Sequence, residues 1–149
     1  MKTRDEVLDS YKSHLIRYLT SGEYNDFTNT FLFASENIKR GAVDANFDIL
    51  PIIYIWEGKE KVITRNRTRT RELPIVVEGY VNPKAYQYES DSNCINAFIR
   101  EVQEITNRFN DSNPKNPFVE TQNDVFYIIG DITMMAAQIH LAVEYVTTY

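Results

Sequence analysis

Two stretches of the chain repeat apolar side chains at helical spacing. Val7, Leu8, Tyr11, Leu15, Tyr18 and Leu19 fall three or four apart, which gathers them on one face and predicts a helix from Arg4 to Leu19. Thr3 or Asp5 supplies its cap and Gly22 its end. Ile95, Phe98, Val102, Ile105 and Phe109 form a still more regular stripe. They predict a second helix that starts at Ser90 or Asp91 and gives way to a loop over 110–116, flanked by Pro114 and Pro117.

Other stretches alternate or run continuously apolar, as strands do. In "FTNTFLFA", residues 27–34, Phe27, Asn29, Phe31 and Phe33 point one way and Thr28, Thr30 and Leu32 the other. A polar excursion from Ser35 to Asp48, holding Gly41, follows. Leu50 to Trp56 is β-branched and aromatic on both parities, the pattern of a strand covered on both faces or of one whose second face meets another subunit. Glu57-Gly58-Lys59 reads as a bend, after which the strand resumes through Ile63. Leu73 to Val81 is a second strong strand, and the two read as a long antiparallel hairpin. Val125 to Ile129 predicts a short strand, and Ala137 to Tyr145 a half-buried one. In the latter, Ile139, Leu141, Val143 and Tyr145 oppose Gln138, His140, Ala142 and Glu144. Met134 to Ala137 fits helix and strand equally.

The order of elements predicts an α+β fold spanning residues 1–149 as a single domain. It is a two-layer sandwich in which a mostly antiparallel sheet of four to five strands carries two helices on one face and a long β-hairpin. Both parities of the hairpin strands are apolar: Ile53, Ile55, Val76 and Tyr80 on one, Ile52, Tyr54, Ile75 and Val77 on the other. No third helix is available for the second sheet face. An uncovered apolar face marks a contact surface, so Ile53, Ile55, Val76 and Tyr80 are candidate subunit contacts and the chain is expected to oligomerise.

Composition narrows the chemistry. The 149 residues are 43% hydrophobic and 25% charged, with ten Tyr and eight Phe, which is ordinary for a globular protein apart from its aromatic richness. A net charge of −5 repels a phosphate backbone overall. The lone Cys94 excludes an internal disulfide and a four-cysteine metal site. Met1 to Thr20 is charged and amphipathic rather than signal-like, and no run is apolar enough to cross a bilayer. A soluble protein of a reducing compartment, without membrane contact, is expected.

No catalytic constellation emerges. Cys94 stands near a helix start, where a thiol is acidified, but neither His14 nor His140 is placed near it as a base. Glu101 and Glu104 lie on the polar side of their helix, and Glu57 and Glu60 flank a bend. No metal-ligand spacing occurs, and Gly58, Gly79 and Gly130 are isolated. The expectation is a non-enzyme with no cofactor and no metal.

Arg65, Arg67, Arg69 and Arg71 alternate with Asn66, Thr68 and Thr70. In a continuous strand all four guanidinium groups line one face. Three readings compete: arginine forks gripping carboxylates of a neighbouring copy, a solvated edge that discourages aggregation, and phosphate contacts to nucleic acid. No aromatic residue interleaves with the arginines to stack bases. Protein contact ranks first, the solvated edge second and nucleic acid third.

The opening helix, "LPIIYIWEGKEKV", "LPIVVEGYV" before a turn and second helix, and the closing "QIHLAVEYVTTY" together resemble the tail terminator (tail completion) proteins of long-tailed bacteriophages. The resemblance covers most of the chain as an arrangement, although no single motif is specific. It implies a structural virion protein at the head-proximal end of the tail, assembled in the host cytoplasm. Such proteins form a hexameric ring that caps the tail tube, stops its polymerisation and docks the tail to the neck. The implied partners are other copies of the chain, the tail tube protein, a neck or head-completion protein and, in contractile tails, the sheath. Genomic DNA passes through the lumen without being read. The family has no catalytic residues to carry over, and its long hairpin reaches neighbouring subunits, which points to the unit from Ile52 to Val81. A head–tail connector component is the alternative within the same class, and a small nucleic-acid-binding α+β module the alternative outside it.

Overall fold

A computed structural model describes residues 3–21, 31–41, 51–65, 68–128 and 134–148. In chain order these form α1 (Arg4–Ser21), a 3-10 turn (Ser35–Asn37), β1 (Ile38–Arg40), β2 (Ile52–Glu57), β3 (Lys61–Arg65) and β4 (Thr68–Val81). A second 3-10 turn (Pro83–Ala85), α2 (Asp91–Ser112), β5 (Phe118–Ile128) and β6 (Met134–Thr148) follow. The fold is an α+β two-layer sandwich in which both helices pack on one face of a mixed sheet. Strand order is β1-β2-β4-β6-β5, with β3 beside β4 on the side of β2.

Side-chain caps start both helices. Thr3 Oγ1 accepts from the Glu6 amide at 3.2 Å, and Ser90 Oγ accepts from the Asn93 amide at 3.1 Å. Each helix turns its stripe into the core: Val7, Leu8, Tyr11, Leu15, Tyr18 and Leu19 of α1 are buried, as are Ile95, Phe98, Val102, Ile105 and Phe109 of α2. Burying each such side chain stabilises the fold by about 1.5–3 kcal/mol before the entropic cost of ordering it. One buried polar contact joins the helices, with the Tyr11 hydroxyl 2.6 Å from Thr106 Oγ1, which itself donates to the Val102 carbonyl. Asn110 clamps the start of β5 through paired 2.8 Å bonds to the Phe118 amide and carbonyl. That seats the Phe118 ring against Tyr11 and Phe109.

The sheet departs from expectation at its margins. Residues 27–30, and Gly22 as a helix end, lie outside the described residues, while residues 31–34 belong to no strand among the described residues. The alternation there is real: Phe31 and Phe33 are buried and Leu32 is 54% exposed. It arises because the segment straps the helices, its Phe33 amide donating to the Leu19 carbonyl and its Phe31 amide to Glu101. Within the presumed excursion, Ile38–Arg40 forms β1, which runs parallel to β2 and raises the strand count to six. Gly41 ends it at φ 121°, a conformation other residues adopt only with strain. β5 and β6 are both longer than predicted, and residues 134–137 are strand.

The bend between β2 and β3 has a covalent cause. Glu57 pairs with Ile75 and Lys61 with Glu72, so the three residues 58–60 face only Leu73 and Pro74. Pro74 has no amide hydrogen to donate, and the neighbouring strand bulges past it with the Gly58 amide donating to the Pro74 carbonyl at 2.8 Å.

At Gly79 only hydrogen fits. It lies on the helix-covered face, and a Cβ there would stand 2.3 Å from Cζ of Phe98, whose ring is buried against Phe31. Gly79→Ala is therefore expected to destabilise the fold by about 1–3 kcal/mol through overpacking, measured by urea unfolding. An unchanged midpoint would mean the ring has room to move.

Candidate functional site

Beyond Leu73 of β4 and Tyr145 of β6, the last residues of those strands in the helix-covered core, β3, the start of β4 and the end of β6 continue as a three-stranded arm. Its register decides where the arginines stand. Arg65 closes β3 opposite Thr68, so position 65 is off the parity of positions 69 and 71. Arg67 lies outside the described residues. Arg69 and Arg71 share one face of β4, the face directed toward the helix layer. Positions 65, 69 and 71 therefore do not share one face as expected: position 65 belongs to β3, positions 69 and 71 to β4, and the register sets them on opposite faces. Arg71 is engaged within the chain, its Nη1 2.9 Å from Glu60 Oε2.

The apolar candidates also separate. Ile53 pairs with Gly79 and Ile55 with Val77, and both isoleucines are fully buried in the core beneath the helices. They are packing residues, a correction to their expected role as subunit contacts. Val76 and Tyr80 stand on the opposite face, in the company of Ile52 and Tyr54. The expected pairing of parities fails because alternation within each strand does not determine how two strands are aligned.

That opposite face is not bare. Ile52, Tyr54, Val76, Tyr80, Met134 and Ala136 are at most 7% exposed, so the apolar surface expected there is already removed from water. Glu78 is buried among them, accepting 2.7 Å from the Tyr80 hydroxyl and also from the Gln138 amide. In the next row, Trp56 Nε1 and His140 Nε2 are buried without a hydrogen-bond partner among the described residues. His140 Nε2 lies 3.3 Å from Asp124 Oδ2.

The base of the arm holds an ionic cluster. Arg40 Nη2 reaches Glu57 at 2.7 Å and Asp5 at 2.6 Å, and Arg4 binds the other oxygen of Glu57. Glu60 accepts from Arg71 and from the Tyr145 hydroxyl. Burial acts to raise both carboxyls, but hydrogen bonds from Arg40 and Arg4 hold Glu57, and those from Tyr145 and Arg71 hold Glu60, below the ordinary carboxylate value. Burial and the bond to Glu60 push the Tyr145 phenol up to about 12. Glu57 and Glu60 had read as ordinary bend charges, and Arg40 lay in the presumed excursion. The bulge at Gly58 brings them together, and a flanking glycine and a strand proline were the available signals.

The thiol of Cys94 is buried, and desolvation with Asp91 nearby raises it to about 11. This outweighs the acidification that a helix start can bring to a thiol. Burial likewise lowers His14, whose Nε2 is 3.2 Å from the Ile105 carbonyl. No cluster of three or more metal-binding side chains exists among the described residues, and no helix among them is long and apolar enough to cross a membrane. Compared with known proteins, the chain matches no family model and no curated sequence.

With Glu57 and Glu60 lowered, the unfolded chain binds more protons than the folded one in acid. Their stabilisation is complete above the unfolded value of roughly 4.3 and is lost as pH falls through the lower folded values. Glu57→Gln with Glu60→Gln should flatten the acid limb of stability against pH below about 4, followed by denaturant titration. An acid limb as steep as the wild type would mean that neither carboxylate contributes.

Proposed function

We propose that the chain is the subunit of a ring-forming tail terminator, which caps the tail tube, stops its polymerisation and docks the tail to the neck. The observation that carries the reading is the arm. Three strands run past the helix layer and expose Val62 at 50% on one face, the face that carries Arg69 and Arg71, and Val146 at 44% on the other. Apolar side chains mixed with arginine are typical of protein contact surfaces. The ionic cluster at its base holds such an arm in place before a neighbour is met. The arrangement of elements along the chain resembles that of tail terminators, whose hairpin reaches adjacent subunits.

The arginines favour protein over nucleic acid here. They do not form one long row, Arg71 is tied to Glu60, and the chain is acidic overall. Passing DNA meets the lumen of the assembled ring only as a non-specific neighbour.

The test is tube length. Added during polymerisation of the cognate tube protein, the chain should yield short, capped tubes with rings at one end by electron microscopy. Val62→Asp with Val146→Asp should keep its fold, both sites being exposed, and lose capping by at least about tenfold in the concentration required. Tubes that grow unchanged with the wild-type protein would overturn the reading, and binding to the neck protein alone would replace it with a head–tail connector.

A further inference from the structure

Among the described residues, two strands other than the three-residue β1 are paired on one side only: β3, at the end of the sheet that bears β2, and β5, at the opposite margin. A free edge offers a row of unpaired backbone amides and carbonyls to another strand. The two edges carry opposite charge. β3 contains Lys61 and Arg65 and no acid, with Lys59 just before it, while β5 contains Glu120 and Asp124 and no lysine or arginine. Glu60, between the two lysines, is turned inward onto Arg71 and Tyr145. The bonds of Glu120 go to the neutral amides of Gln103 and Asn123, and Asp124 accepts from the amide of Gln122 and lies 3.3 Å from His140 Nε2, so neither is held by a lysine or arginine in these contacts.

Both edges are also partly apolar. Val62 stands out on β3, and Val119, Val125 and Phe126 on β5, each at least 44% exposed. A long, open, partly apolar edge such as β5 is rarely left free, because it invites pairing.

We infer that β3 of one copy pairs with β5 of the next, so that successive sheets join head to tail. The occupant of each edge is a second copy of this chain. Pairing β5 with β5 sets carboxylates against carboxylates, and pairing β3 with β3 sets lysines against lysines; only the crossed pairing brings opposite charges together. Because the two edges lie at opposite margins of one sheet, the contact is heterologous and repeats around a ring instead of stopping at a dimer. The inference rests on the self-assembly contained in the proposed function and names the surfaces that carry it.

Charge reversal on intact protein tests the pairing, with assembly followed by sedimentation velocity across concentration and folding by circular dichroism. Lys59→Glu with Lys61→Glu, and separately Glu120→Lys with Asp124→Lys, should each weaken self-association by about tenfold or more. The chain carrying all four changes should assemble close to wild type, since every interface then has its charges exchanged. Assembly unaffected by either pair, weakening by the β5 pair alone, or a folded fourfold variant that stays monomeric would each overturn the inference. So would a wild-type chain that remains monomeric both alone and on tail tubes. Normal tube capping by both reversed variants would sink the edge pairing and leave the tail-terminator reading standing. Oligomers that respond to charge as described but never cap tubes would do the reverse.

Discussion

The requirement that β4 be paired along both edges governs this molecule. Its 14 residues lie against β6 throughout on one side, and against β2 and then β3 on the other. One residue cannot meet the demand: Pro74, in the middle of the strand, has no amide hydrogen. The neighbouring chain answers by bulging at Gly58, and the bulge divides the sheet into a helix-covered body and an arm. The ionic cluster of Arg4, Arg40, Glu57 and Glu60 gathers at that division. Covalent chemistry at one position thus separates the part of the sheet that makes the core from the part left for other contacts.

The body is held by shape as much as by burial. Gly79 leaves a notch in β4 that the ring of Phe98 occupies, so α2 sits closer to the sheet than a larger residue would permit. Tyr11, Phe109 and Phe118 close the far end of the core, where edge-on and stacked rings fit together. Part of the aromatic richness evident in the composition goes here and to the strap that carries Phe31 and Phe33. On the opposite face, buried Glu78 with Tyr80 and Gln138 shows that a second, smaller core can hold a carboxylate when its hydrogen bonds are supplied.

The helices were legible in the sequence because a 3.6-residue period is a property of one segment, and all eleven stripe residues named for them are buried. The two-layer plan and the long hairpin were legible for a similar reason, since each depends on local pattern. What could not be read was alignment between strands. Whether Ile53 and Val76 share a face is undetermined until the register sets Ile53 beside Gly79, which puts the two on opposite faces. The one extra residue at the bulge then inverts the faces of β3 relative to β2, and the register of β3 on β4 sets position 65 on the face opposite positions 69 and 71. The site residues were therefore less legible than the fold: Arg69 and Arg71 stayed together, whereas Ile53 and Ile55 moved into the core. Ile38–Arg40 was missed because three residues paired in parallel to a distant strand leave almost no local pattern.

The ladder between β4 and β6 also determines the order in which the chain can become safe from its neighbours. Its paired residues are about 50 to 80 positions apart, whereas those of the hairpin meet across a short connection. During synthesis the hairpin is available early, with one long edge of β4 unsatisfied, and it must wait for α2, β5 and β6 to emerge before that edge is closed. Separations of this size slow folding and lengthen the exposure of unpaired strands. The late arrival of β6 keeps β4 open to premature pairing until β6 has emerged, so that crowded synthesis offers a route to misassembly that the finished ladder closes.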